Sequence, residues 1–234
     1  MKYLLLLLIA VSSVATADYK AQVWPDEFAV SFTESSFDEY FKGTTKAKIY
    51  YSNKLGLSRT YRDTGKYNTI CGNNSTPKRA DIPCQQIVTK DYRYVYHPTT
   101  NSCCMCCTTK QFCGLTRYDW VVGGKFNRQY KDKAGRQILE YNLTSPPAPP
   151  HNYSEVLNKD GSRTPYRDFH VPVGDNIYNP DDFKTDPLDA SLFEAPSVCK
   201  PENLCQDKGA CDFFRNMFKS PSEKKFNEMI AALM

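Results

Sequence analysis

Beyond its first residues the sequence has no apolar stretch approaching the roughly twenty residues that a membrane-spanning helix needs, nor a hydrophobic C-terminal tail of the lipid-anchor kind. No membrane span is expected, and the mature protein is expected to be soluble. Histidine is scarce, with His97, His151 and His170 the only three, and none sits in a recognisable motif. There is no Gly-x-Ser-x-Gly elbow, no His-Glu-x-x-His metal helix and no phosphate loop, so the commonest hydrolytic and nucleotide chemistries have no carrier. The chain reads as a non-enzyme. Charge of one sign is also lacking: Lys and Arg total 30 against 26 Asp and Glu, and the cations are scattered rather than gathered into a stripe. Nucleic acid is therefore not an expected partner. Only five methionines leave little material for adaptable helical packing.

What is present begins with a leader. Lys2 precedes an apolar run from Tyr3 to Val11, and small residues then end at Ala15-Thr16-Ala17. This is the pattern of a signal peptide over residues 1–17, cut before Asp18. The expected location is extracellular, or the lumen of the secretory pathway. The remainder divides into a β-rich domain over 18–205 and a C-terminal extension over 206–234.

Ten cysteines follow the leader: Cys71, Cys84, Cys103, Cys104, Cys106, Cys107, Cys113, Cys199, Cys205 and Cys211. An even count in an exported chain reads as five disulfides. In an extended strand, alternate members of Cys103-Cys104-Met105-Cys106-Cys107 point to opposite faces and tie one segment to layers on both sides. Neighbouring cysteines pair poorly with each other. If all four bond outward they take four of the other six and leave two to pair together, with the connectivity open. A zinc site is the rival reading, but the spacing matches no paired C-x2-C knuckle, so no metal is expected at the cysteines. Cys113-Gly114 alone does not make a nucleophile.

Acceptor tripeptides for N-glycosylation occur at Asn73, Asn74, Asn142 and Asn152, and are expected to mark surface loops of a glycoprotein. The first two overlap, so one of them is expected to be used.

Sixteen Tyr and thirteen Phe accompany segments that alternate apolar and polar residues, the period of half-buried strands. Phe28-Val30-Phe32, Ala47-Ile49-Tyr51, Leu57-Arg59-Tyr61 and Tyr92-Tyr94-Tyr96 are such runs, the second and third joined by a turn at Asn53 to Gly56. Residues 125–131 and 136–143 flank a turn at 132–135, and residues 153–158 and 165–171 flank another at 159–162, which predicts successive antiparallel hairpins. The proline-rich run from Ser145 to Pro150 is expected to be an exposed bend. From Asp175 to Pro201 the chain reads as loop, and its Asp181, Asp182, Asp186 and Asp189 offer oxygen ligands for Ca2+. Ser220, Pro221 and Glu223 form a helix start, and Phe226, Met229, Ile230 and Leu233 then make the apolar stripe of a closing amphipathic helix.

The order of Trp24-Pro25, Phe28 to Glu34, Gly43 to Ser52, Arg59 to Gly65, Cys71-Gly72 and Pro83-Cys84 resembles the ependymin-related, LolA-like secreted proteins. The likeness continues through Cys103 to Cys107, Cys113-Gly114 and Trp120 to Asp189–Phe193 and Pro196 to Cys199. It implies a mainly β fold, a strongly curved antiparallel sheet or half-barrel whose concave side, partly covered by helix or loop, holds lipid-like ligands. Some proteins of that kind are glycosylated and bind calcium. The cysteines, the sequons and the C-terminal extension depart from the bacterial carriers, which places lipid transfer between membranes in doubt.

The expected function is binding of an apolar or lipid-like ligand in that concavity, with Tyr92, Tyr94, Tyr96, Phe126, Tyr130 and Phe169 as candidate lining residues. Which face looks inward is not legible at this level. The alternative is a structural subunit of an extracellular coat, matrix or fibre, built by self-assembly or with other extracellular proteins.

Overall fold

In the computed structural model, residues 19–111, 113–144, 151–170, 174–206 and 209–216 are described. The leader, the proline-rich bend and the closing amphipathic helix lie outside them. Eleven strands form one antiparallel sheet. In chain order they are β1 (Glu27–Ser36), β2 (Gly43–Ser52), β3 (Leu57–Arg62), β4 (Cys84–Val88), β5 (Tyr92–His97), β6 (Ser102–Thr108), β7 (Lys125–Lys131), β8 (Gln137–Leu143), β9 (His151–Leu157), β10 (Arg163–His170) and β11 (Gly174–Tyr178). Among the described residues two short α-helices, α1 (Thr69–Asn73) and α2 (Ala210–Asn216), accompany the sheet.

The spatial order is β6-β5-β4-β3-β2-β1-β11-β10-β9-β8-β7, two meanders joined through the β1–β11 ladder. The joining strand is one that the sequence hides, because Asp175 to Pro201 reads as loop. Asp175 is buried within β11, and Arg167 of β10 donates to both its oxygens at 2.8 and 2.9 Å. A charge compensated by its neighbouring strand sits in the middle of the sheet while looking, in sequence, like a turn residue.

The sheet is strongly curved and open. Laid flat, β2 and β8 would lie roughly 24 Å apart at about 4.8 Å per strand. Yet Tyr51 of β2, Trp24, and Tyr141 and Tyr153 of β8 and β9 belong to one buried cluster with Phe28, Val30, Phe32, Leu139, Leu143 and Tyr178. Trp24 is its hub, with edge-on ring contacts to Phe28, Tyr51 and Trp120 and an indole N–H that donates to the Tyr153 hydroxyl at 3.1 Å.

Five disulfides staple one end of this sheet. Cys103 bonds Cys199, Cys104 bonds Cys205, Cys106 bonds Cys211, Cys107 bonds Cys113, and Cys71 bonds Cys84. All four members of the cysteine cluster bond outward. Cys103 lies on the face of Tyr94 and Met105, whereas Cys104, Cys106 and Cys107 join the opposite cluster with Cys205 and Cys211. Strict alternation fails at Cys106, the extra residue of a bulge that lies opposite Arg93 and Tyr94. Such a density of bridges belongs to an oxidising setting. Among the described residues no helix is long and apolar enough to cross a membrane.

The two edges are managed differently. Along β6 the returning chain covers the edge, with the Met105 amide donating to the Asn203 carbonyl and the Cys205 amide to that of Met105. The β7 edge is largely exposed and carries Lys125, Arg128 and Lys131, charges that oppose edge-to-edge pairing.

Candidate functional site

Along each strand alternate side chains turn into the curve, and together they leave a central cavity of about 440 Å³. Trp24, Phe32, Tyr51, Trp120 and Tyr178 supply aromatic walls, and Arg62, Arg93, His151, Asp168, His170 and Asn176 supply polar groups. A second hollow of about 500 Å³ adjoins it, sharing His170 and Asn176 and walled by Tyr67, Ala210, Phe213 and Phe214 from the α1 and α2 regions. The Cys106–Cys211 bridge holds α2 in that wall.

None of the six aromatics expected to line the concavity lines the central cavity. Tyr92, Tyr94 and Tyr96 pack on the opposite face with Ile87, Met105 and Cys199, beneath the returning chain. Phe169 faces outward, against Phe37 at 6.2 Å and beneath the Arg167 guanidinium. Tyr130 borders a shallow outer hollow with Tyr166 and Ile177. Phe126 does face inward, but as part of the packed cluster beside Tyr141 and Tyr19.

The two arginines differ in their partners. Arg62 of β3 donates to Glu34 at 2.5 Å, while its Nη1 is buried without a hydrogen-bond partner among the described residues. Arg93 of β5 donates to the carbonyls of Cys113 and Gly114 at 3.2 and 3.0 Å and has no ion-pair partner among the described residues. Burial, and secondarily the charge of Arg62, lower its pKa to about 10, so it remains a cation at neutral pH.

Across the cavity, His151 opens β9 and His170 closes β10, and the two are register partners whose rings stack at 4.4 Å. Trp120 stacks on the other side of His151 at 5.6 Å. Asp168, paired in register with Tyr153, places its Oδ2 within hydrogen-bond distance of His170 Nε2, at 2.9 Å. Burial pulls the His170 pKa down, but the hydrogen bond and charge of Asp168 outweigh it and leave it raised. His97 is buried outside this cavity.

The acidic run does not converge in the same way. Asp182 is engaged by the Ser31 amide and hydroxyl, and Asp189 caps the turn Ala190–Phe193. These bonds give a structural account of two of the four aspartates, and the run is not among the metal-competent groups of the described residues.

The sequons differ in setting: Asn74 lies in the turn after α1, whereas Asn73, Asn142 and Asn152 lie within secondary-structure elements. Asn73 ends α1 and faces the second hollow, and the Asn74 side-chain nitrogen, the atom a glycan would need, donates to the Ile70 carbonyl at 2.8 Å. Asn142 and Asn152 lie within β8 and β9 as direct cross-strand partners, Asn142 exposed and Asn152 half-buried. Their strands alternate, so the face opposite the core remains open to modification.

No protein-family model matches the chain, and no curated protein matches it. Among solved structures it is similar to an uncharacterized conserved protein from Thermus thermophilus, at 11% identity and a TM-score of 0.47, over 76% of this chain and 90% of that one.

Proposed function

We propose that the protein is a secreted glycoprotein that binds a small amphipathic, lipid-like molecule with an anionic head in the concave face of its sheet, without transforming it. The aromatic walls of the central cavity take the apolar body, where each buried Å² contributes about 25 cal/mol. The observation that carries the reading is Arg93: a guanidinium without a carboxylate partner among the described residues, set in an aromatic cavity beside a second arginine whose Nη1 finds no hydrogen bond among them. A carboxylate or phosphate head supplies the missing acceptor for both. Asn142 and Asn152 are the acceptors best placed to carry the glycan, on the face away from the ligand.

Binding of a fluorescent fatty acid and of the matching fatty alcohol tests this. Arg93→Gln is expected to weaken the acid by about 10- to 100-fold, the worth of one charge-assisted hydrogen bond, and to leave the alcohol unchanged. Arg93→Lys, which keeps the charge, is expected to recover part of the loss. Equal affinity for acid and alcohol in the parent protein overturns the reading, as does an organic extract of purified protein and a titration that both show no ligand. Growth of the particle mass with concentration, with an empty cavity, supports an assembling subunit instead.

A further inference from the structure

We propose that His151, Asp168 and His170 form a binding site for one divalent transition-metal ion of the zinc type, open toward the central cavity. Their donor atoms all lie within 4.8 Å of one another, and His170 Nε2 and Asp168 Oδ2 are already 2.9 Å apart. That spacing suits two ligands of one ion in place of a shared proton. Asp168 is only 8% exposed, and its Oδ1 is buried without a hydrogen-bond partner among the described residues. A carboxylate oxygen left so is costly to bury, and a bound cation removes the cost.

The ligand types choose the metal. Two imidazoles and one carboxylate suit zinc and its neighbours, whereas Ca2+ and Mg2+ favour oxygen alone. Three protein ligands leave a coordination position for water or for an anionic group entering from the cavity, which His151, Asp168 and His170 all line. The other metal-competent group, Cys106, Cys107 and Cys113, is consumed by disulfides and offers no thiolate.

The sheet itself assembles the site. Between Pro165 and Arg167 the β9–β10 register shifts by one residue. Before the shift Arg163 and Pro165 face the concave side, opposite Leu157 and Glu155. After it, Asp168 and His170 do, opposite Tyr153 and His151. Without that bulge both ligands would point outward and Phe169 would point in.

The inference does not rest on the amphipathic-ligand reading, and Arg93→Gln is expected to leave metal binding intact. The experiment uses chelator-treated protein with its disulfides oxidised, titrated with Zn2+ by calorimetry and with Co2+ by visible absorption. One ion per chain is expected, with Asp168→Asn and His170→Gln each weakening Zn2+ by at least about 100-fold. His97→Gln is expected to bind like the parent. Because the chain has three histidines, imidazole NMR gives a readout without any variant: two ring systems shift on adding Zn2+ and that of His97 does not. Absence of saturable binding, unchanged affinity in folded Asp168→Asn, or unmoved His151 and His170 signals each overturn the proposal.

Discussion

Breaking any one of the three bridges that tie β6 to the chain beyond Val198 is expected to cost only about 2 kcal/mol, and breaking all three together roughly 9. The three bridges span separations of 96, 101 and 105 residues, and each taken alone closes a loop worth about 5 kcal/mol by the chain-entropy rule. They are not alone, however. Remove Cys104–Cys205, and its neighbours Cys103–Cys199 and Cys106–Cys211 still hold the same large loop shut. The unfolded chain then gains only the freedom of the few residues between one bridge and the next. Opening the last of the three releases the large loop itself, and the total reaches the whole stability of an ordinary domain, about 5 to 15 kcal/mol. Paired Cys→Ala substitutions followed by urea unfolding check this: each single pair shifts the midpoint modestly, and the triple set leaves no cooperative transition. Costs that simply add from one pair to the next would show that the bridges act through local packing and not through shared loop closure. The Cys106–Cys211 pair carries a separate signature, since α2 walls the second hollow and its release opens that end of the concavity.

The sheet is legible from alternation, because Phe28, Val30 and Phe32, or Ala47, Ile49 and Tyr51, keep one face buried over a run with no irregularity. What alternation does not carry is a bulge. Three ladders hold one, between Arg93 and Tyr94, between Phe126 and Arg128, and between Pro165 and Arg167. Each extra residue exchanges the faces of everything after it. Phe126 and Tyr130 share a parity in sequence, yet the second bulge turns one inward and the other outward. Phe169 is lost from the cavity, and Asp168 and His170 are gained, by the third. A signal for that bulge exists in Pro165, which cannot donate to a ladder, and the turn at 159–162 sets His151 and His170 at symmetric distances on either side. The tyrosine stripe on β5 is regular, but choosing its face requires knowing that the chain from Ala195 to Cys199 returns over it, a contact too distant for any local pattern. Arg93 lies between two of those tyrosines, and nothing in the local sequence marks it as a cation whose partners are carbonyls.

The protein is expected to lose about 3 kcal/mol of stability as pH rises from about 4.5 through 7 because of one residue, and Glu155→Gln is expected to abolish that part of the loss. Glu155 of β9 is 2% exposed and turned toward the core. Burial is the leading influence and raises its pKa; the charge of Arg163, the Gln22 amide, and hydrogen bonds from Arg163 and Tyr141 oppose it. The Arg163 contact is long, 3.3 Å, and that guanidinium divides itself among the Lys20 carbonyl, the Tyr141 hydroxyl and Glu155. Tyr153 also faces the carboxylate and adds no positive charge. Burial wins, and the pKa stands at about 7 against 4.5 for a free glutamate. The folded state therefore holds the proton more tightly than the unfolded chain, and its advantage is complete below about 4.5 and gone above about 7. An ordinary exposed Glu–Arg pair would act in the opposite sense and gain with rising pH. Urea unfolding of the parent and of Glu155→Gln at intervals from pH 4.5 to 8, without reductant, separates the two. The stability of the variant relative to the parent should climb across that window and then level off. Parallel curves, or a variant that loses ground as the carboxylate ionises, would mean that Arg163 compensates the buried charge fully.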